Sequence, residues 1–249
     1  MTSVPQYLGA GGAALAAGVI NAVAGGGTLV SFPVLVALGV PSVNANITNT
    51  VSLCPGYLGG AYAQRSELRA NAERLRSMAI VAAVGGLAGS ILLVISPERL
   101  FRNLVPFLIL GACALFTAQP WLKKLTRNAD EHRTNRVVLY ASLLVCAVYG
   151  GYFGAGLGIM LLAVLGLALP DPLIRVNAYK QALSLVINVL AALFFVFSGK
   201  VEWQYAAVMA VGSLIGGNVG GRLVGVLKPT VLRVAVIVFG VAAAIRFFI

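Results

Sequence analysis

Long apolar runs separated by short polar breaks make up most of this chain. Runs near 5–24, 44–63, 77–95, 103–122, 137–155, 177–198, 203–221 and 229–248 are each long enough to cross hydrocarbon as a helix, which takes about 17–25 residues. Two further runs, 28–40 and 157–169, are only about 13 residues long and suit a half-helix or re-entrant piece. The pattern predicts an all-α polytopic membrane protein. It has eight full transmembrane helices and two short, broken or re-entrant segments.

Each short run follows a glycine cluster, and the two clusters sit at matching places in the chain. The first is Gly25-Gly26-Gly27-Thr28, and the second is Gly154-Ala-Gly156-Leu-Gly158. About twenty residues on comes the same tripeptide, Val43-Asn44-Ala45 and Val176-Asn177-Ala178. The one long polar stretch, 123–136, is basic and central. It divides the chain into an N-terminal repeat (1–122), a cytoplasmic linker and a C-terminal repeat (137–249). Repeated hydrophobic halves, each interrupted by glycine, are the sequence signature of a transporter with broken helices at its centre.

Composition strengthens the membrane reading and charge sets its orientation. The chain is 59% hydrophobic and 10% charged, whereas a soluble domain is about a quarter charged. Its net charge of +11 raises the question of nucleic acid. The basic residues, however, lie in short loops between spans, with no basic stripe interleaved with aromatics, which argues against it. Arg65, Arg69, Arg74 and Arg76 in one loop, and Lys123, Lys124, Arg127, Arg133 and Arg136 in the linker, should face the cytoplasm. Gly199–Glu202, the second-half counterpart of that loop, holds only Lys200. This favours an inverted second half, with both termini outside. The N-terminus lacks a basic leader and reads as the start of the first span. Cys54, Cys113 and Cys146 are scattered in apolar runs, and His132 is the lone histidine, so no metal site or cofactor is expected.

The chemistry must therefore come from backbone amides and a few polar side chains. A broken helix frees N–H groups that carry the positive end of the helix dipole, which suits an oxyanion. Gly25, Gly26, Gly27, Gly156 and Gly158 would let the anion approach. Thr28 and Ser31 could cap the half-helix and add hydroxyl donors. The competing reading is that these glycines only allow helices to cross closely. In the span after the first break, Asn46, Asn49 and Thr50 share a helical face, with Thr48 beside them. Such a face lines a cavity or hydrogen-bonds another helix. Asn21, just before the first cluster, could join them. In the second half Gln181, Ser184 and Asn188 share a face next to Lys180. A lysine there would offset the cost of burying an anion, or would snorkel to the interface. Arg175 reads as an interface anchor.

Gly25-Gly26-Gly27 followed by Phe32-Pro33-Val-Leu35 and Gly39 resembles the glycine-rich, proline-leucine signature of the sulfite exporter TauE/SafE family. Gly154-Ala-Gly156-Leu-Gly158 with Leu165 resembles its degenerate second copy. The resemblance covers essentially the whole chain. It implies a multi-pass permease of the bacterial inner membrane, moving sulfite, a sulfonate or a related small sulfur oxyanion. No enzyme signature is present: no HExxH, GxSxG or Walker sequence. The reading is a secondary transporter working by alternating access. A permease for a carboxylate or neutral sulfur compound, and a non-transporting scaffold, are the alternatives.

Overall fold

The structure is a computed structural model, and it describes residues 4–23, 25–63, 68, 72–127, 135–223 and 229–248. Among them are ten α-helices and no strand. The helices are α1 (Val4–Val23), α2 (Thr28–Ala37), α3 (Ser42–Ala63), α4 (Ala72–Ile95), α5 (Glu98–Arg127), α6 (Arg136–Tyr152), α7 (Leu157–Ala168), α8 (Leu173–Val196), α9 (Trp203–Leu223) and α10 (Pro229–Phe248). Each apolar run of the sequence forms a helix, and the two short runs are α2 and α7.

By length and apolar content, four of the ten can cross a membrane: Ala72–Ile95, Glu98–Trp121, Ile174–Val196 and Thr230–Phe248. That is fewer than the eight spans expected. The difference has a local cause. α6 has only 17 residues. The other three helices, α1, α3 and α9, are diluted by glycine, asparagine, glutamine, serine and threonine. Several of these residues face neighbouring helices and are buried, so the apolar character is lost mainly on the inner side. α5 also runs to Arg127, past the boundary expected at 122, and residues 128–134 of the predicted linker lie outside the described residues. So do Arg65 and Arg69 of the first basic loop.

Helix packing follows a regular exchange. α1 packs most extensively on α9, and α4 on α6. If α6–α10 are taken as equivalents of α1–α5, these two pairs are the same pair. The same exchange turns α3–α9 into α8–α4, α2–α3 into α7–α8, and α5–α7 into α10–α2. The pairs α3–α8 and α5–α10 map onto themselves. Both main seams are built on glycine. A Cβ on Gly216 of α9 would lie 2.0 Å from the Leu15 carbonyl oxygen of α1, and one on Gly89 of α4 would lie 2.0 Å from that of Val148 in α6. Only glycine lets the backbones come this close, so close packing accounts for the small-residue spacing there.

Polar contacts gather at the two ends of α4. At its C-terminal end, Lys200 Nζ donates to the Val94 carbonyl at 2.7 Å. Nearby, Glu98 caps α3 from a different helix, accepting from the Ser42 amide at 2.5 Å and the Val43 amide at 2.9 Å. The first turn of α1 reaches this end through a Tyr7–Gln204 hydrogen bond, and α10 reaches it with Arg246, which shares a cavity with Glu98. At the N-terminal end of α4, Arg74 and Arg175 both bind Asp171, at 2.8 and 2.9 Å. That network ties α4 to the turn before α8. Arg175 is therefore an ion-pair partner as well as a helix-end cation.

Candidate functional site

The first break is organised by one side chain. α1 ends at Val23, and the chain turns back through Gly25 and Gly26, whose φ angles of +73° and +110° favour glycine. Asn21 Oδ1 accepts from the amides of Gly26 and Gly27, at 2.9 and 2.7 Å. It thereby does the capping work expected of Thr28 and Ser31: α2 has no side-chain cap from its own N-cap residue, Gly27. The Ser31 hydroxyl instead turns back to the Gly27 carbonyl at 3.2 Å and across to Asn49 Oδ1 at 2.5 Å. Thr28 is buried at the start of α2. Tyr57 of α3 also reaches the Asn21 side chain. The sequence signal for Asn21 was weak: a lone asparagine a few residues before a glycine run.

The second break is built differently. Gly154 and Gly156 take φ values of +74° and +76°. The Tyr149 hydroxyl donates to the Ala155 carbonyl at 2.7 Å and pins the turn from inside. Lys180 is half-buried on α8, and a Cβ on Gly158 would lie 3.7 Å from its Cδ. The lysine stem thus runs over the first turn of α7. Gln181 follows it, also half-buried. On the same helix Ser184 and Asn188 are buried, and Asn188 Nδ2 donates to the Ser184 carbonyl at 2.8 Å.

The two breaks meet on α5. A Cβ on Gly26 would strike the Phe116 ring at 2.1 Å, and one on Gly156 would touch Ala112 at 3.5 Å. Residues 112 and 116 are one helical turn apart, about 6 Å along the axis. The Phe32 and Phe153 rings, one from beside each break, pack edge to face at 5.4 Å. α3 bridges the same point. Asn46 Nδ2 donates to the Tyr152 carbonyl at the second break, at 2.9 Å, and Asn49 holds Ser31 beside the first.

These two asparagines are 1% exposed, and each keeps one polar atom with no hydrogen-bond partner among the described residues: Asn46 Oδ1 and Asn49 Nδ2. Unpaired buried polar atoms are uncommon and costly, about 1–3 kcal/mol each. Thr48 is not part of this cluster. It points to the segment just before α9, where its Oγ1 accepts from the Glu202 amide at 3.0 Å. Thr50 bonds the Asn46 carbonyl of its own helix. No group of three or more histidine, cysteine or acidic side chains able to hold a metal occurs among the described residues.

A helical bundle with paired glycine breaks matches a known family. The sequence model described as "Sulfite exporter TauE/SafE" matches residues 10–247. The chain belongs to the TauE/SafE family. It is 27% identical over 245 residues to a probable membrane transporter protein, ORF9, of Sinorhizobium sp, covering 94% of this chain and 89% of that one. It is 30% identical over 230 residues to a probable membrane transporter protein of Haemophilus influenzae, covering 89% and 86%. It is 28% identical over 216 residues to the probable membrane transporter protein YfcA of Escherichia coli, covering 85% and 78%. No solved structure matches. This TauE/SafE chain is accordingly a multi-pass membrane protein of a transporter family, not an enzyme.

Proposed function

We propose that the chain is a secondary permease of the bacterial inner membrane for a small anion: sulfite, a sulfonate or a related sulfur oxyanion. The observation that carries this reading is the pair of buried asparagines with unspent polar atoms where the two glycine breaks meet. Asn49 Nδ2 is a donor beside the first turn of α2, suited to an oxyanion oxygen. Asn46 Oδ1 is an acceptor, suited to the hydroxyl of a protonated form such as bisulfite. At the first break, Asn21 Oδ1 occupies the place an anion's oxygen takes at a helix N-terminus. Substrate displaces it and takes over the Gly26 and Gly27 amides. Lys180, lying over Gly158, supplies positive charge that lowers the cost of bringing an anion into the membrane.

Transport proceeds by alternating access between two inverted halves, 1–122 and 137–249, joined by a cytoplasmic linker at 123–136. Five helices per half, an odd number, invert the second half if the short α2 and α7, each with its adjoining break, complete a crossing. The packing exchange between α1–α5 and α6–α10 supports this reading, as does the gathering of both chain ends at one end of α4. The breaks then lie near the bilayer midplane, where repeat-built transporters bind substrate. The Arg74–Asp171 pair and the Glu98 cap tie helices at opposite ends of the bundle.

The test is uptake of radiolabelled sulfite into proteoliposomes, with thiosulfate, sulfate, sulfoacetate and acetate as competitors. The expected result is uptake above empty liposomes, inhibited more by the sulfur anions than by acetate. Acetate competing as well as thiosulfate would replace the sulfur reading with a general anion. No uptake under either a proton or a sodium gradient would favour the scaffold alternative.

A further inference from the structure

A second polar feature lies away from the breaks. A cavity of 650 Å³ opens between the C-terminal end of α2, the start of α5 and the end of α10. None of the residues assigned to substrate above lines it. Its walls are mostly apolar, with Val34 and Ala37 on α2 and Phe239 and Ala243 on α10. Two arginines complete the lining, Arg102 and Arg246, both exposed. The one acid in the lining, Glu98, already accepts two amide hydrogens from the first turn of α3. The cavity therefore carries a net positive end and an apolar body.

We infer that this cavity binds an anionic phospholipid, with its phosphate between Arg102 and Arg246 and an acyl chain between α2 and α10. Three observations favour a lipid over a small soluble anion. First, the volume far exceeds what a compact oxyanion fills, and the apolar walls suit a hydrocarbon chain. Second, the cavity opens on the most lipid-facing span: only 17% of the α10 window is buried. Its wall residue Phe239 is 39% exposed, and Val238 and Ile245 on the same helix are 63% and 54% exposed. Third, the arginines are near helix ends, Arg102 in the second turn of α5 and Arg246 in the last turn of α10. Cations at such positions reach the headgroup layer and attract anionic lipid.

Native mass spectrometry of the full chain tests this, with equimolar phosphatidylglycerol and phosphatidylcholine added in detergent. The wild type should retain one phosphatidylglycerol in preference to phosphatidylcholine by about tenfold. The double variant Arg102→Gln/Arg246→Gln should lose that preference while keeping its melting temperature. Arg99→Gln, a neighbouring cation outside the cavity, should keep it. Equal retention of the two lipids by the wild type would overturn the proposal, and so would undiminished selectivity in the double variant. Decanesulfonate displacing the lipid and binding in an arginine-dependent way would also overturn it, in favour of a free amphiphilic anion.

Discussion

At the first break Asn21 Oδ1 takes two amide hydrogens, from Gly26 and Gly27. At the second, the Tyr149 hydroxyl gives one hydrogen to the Ala155 carbonyl. The same local problem, a chain reversal inside a bundle, is solved with opposite polarity. The first solution gathers donors around one oxygen, which is the arrangement an anion needs. The second leaves the lysine on Gly158 as its positive element. Sterics differ as well. A Cβ added at Gly26 or Gly27 would lie 2.1 Å from the Phe116 ring or 2.2 Å from the Ala17 carbonyl oxygen, whereas one at Gly156 would make only ordinary contacts, which leaves its φ of +76° as the reason for glycine. The two breaks share left-handed glycines and differ in the polar groups that hold them.

The largest expected effect breaks this comparison at its steric root. Gly27→Ala drives a methyl into the Ala17 carbonyl and should destabilise by about 3 kcal/mol or more, enough to prevent recovery of folded protein. Gly156→Ala should cost only about 1–2 kcal/mol, the strain of a left-handed residue. Thermal unfolding in detergent measures both, and equal losses would mean that the breaks are sterically alike.

Next in size is Asn21→Ala. It strands two amides and should cost about 2 kcal/mol, with a lower melting temperature. Lys180→Gln should cut sulfite uptake by about tenfold at an unchanged melting temperature, if the lysine balances the anion's charge as proposed. Uptake kinetics check this, and wild-type rates would remove the lysine from the site. The smallest effect is Tyr149→Phe, which deletes one hydrogen bond. It should lower stability by about 1 kcal/mol and leave sulfite uptake nearly unchanged.

Hydropathy made the first and last helices legible almost to the residue. The runs at 5–24 and 229–248 correspond to Val4–Val23 and Pro229–Phe248. It erred where helix and immersion part company. α4 begins at Ala72 and α8 at Leu173, several residues before their apolar runs. Backbone hydrogen bonding admits Glu73, Arg74 and Arg175 into first turns that hydropathy leaves out. The asparagine face of α3 was readable from spacing, but the direction of Thr48 was not, because it depends on the Glu202 amide of a distant segment. The part of Asn21 depends on the left-handed turn at Gly25 and Gly26, which brings two later amides back onto its oxygen. The convergence on Phe116 and Ala112 has no sequence signature, since α5 there is ordinary apolar helix.

The most direct test of an anion taking over the Gly26 and Gly27 amides is sulfite uptake by Asn21→Asp, measured beside its melting temperature. A carboxylate keeps the two amide contacts and favours the helix N-terminus, so stability should hold. Its charge opposes an incoming anion, so uptake should fall by about tenfold or more. Wild-type uptake by a normally folded Asn21→Asp protein would contradict the account and move the substrate away from the first break.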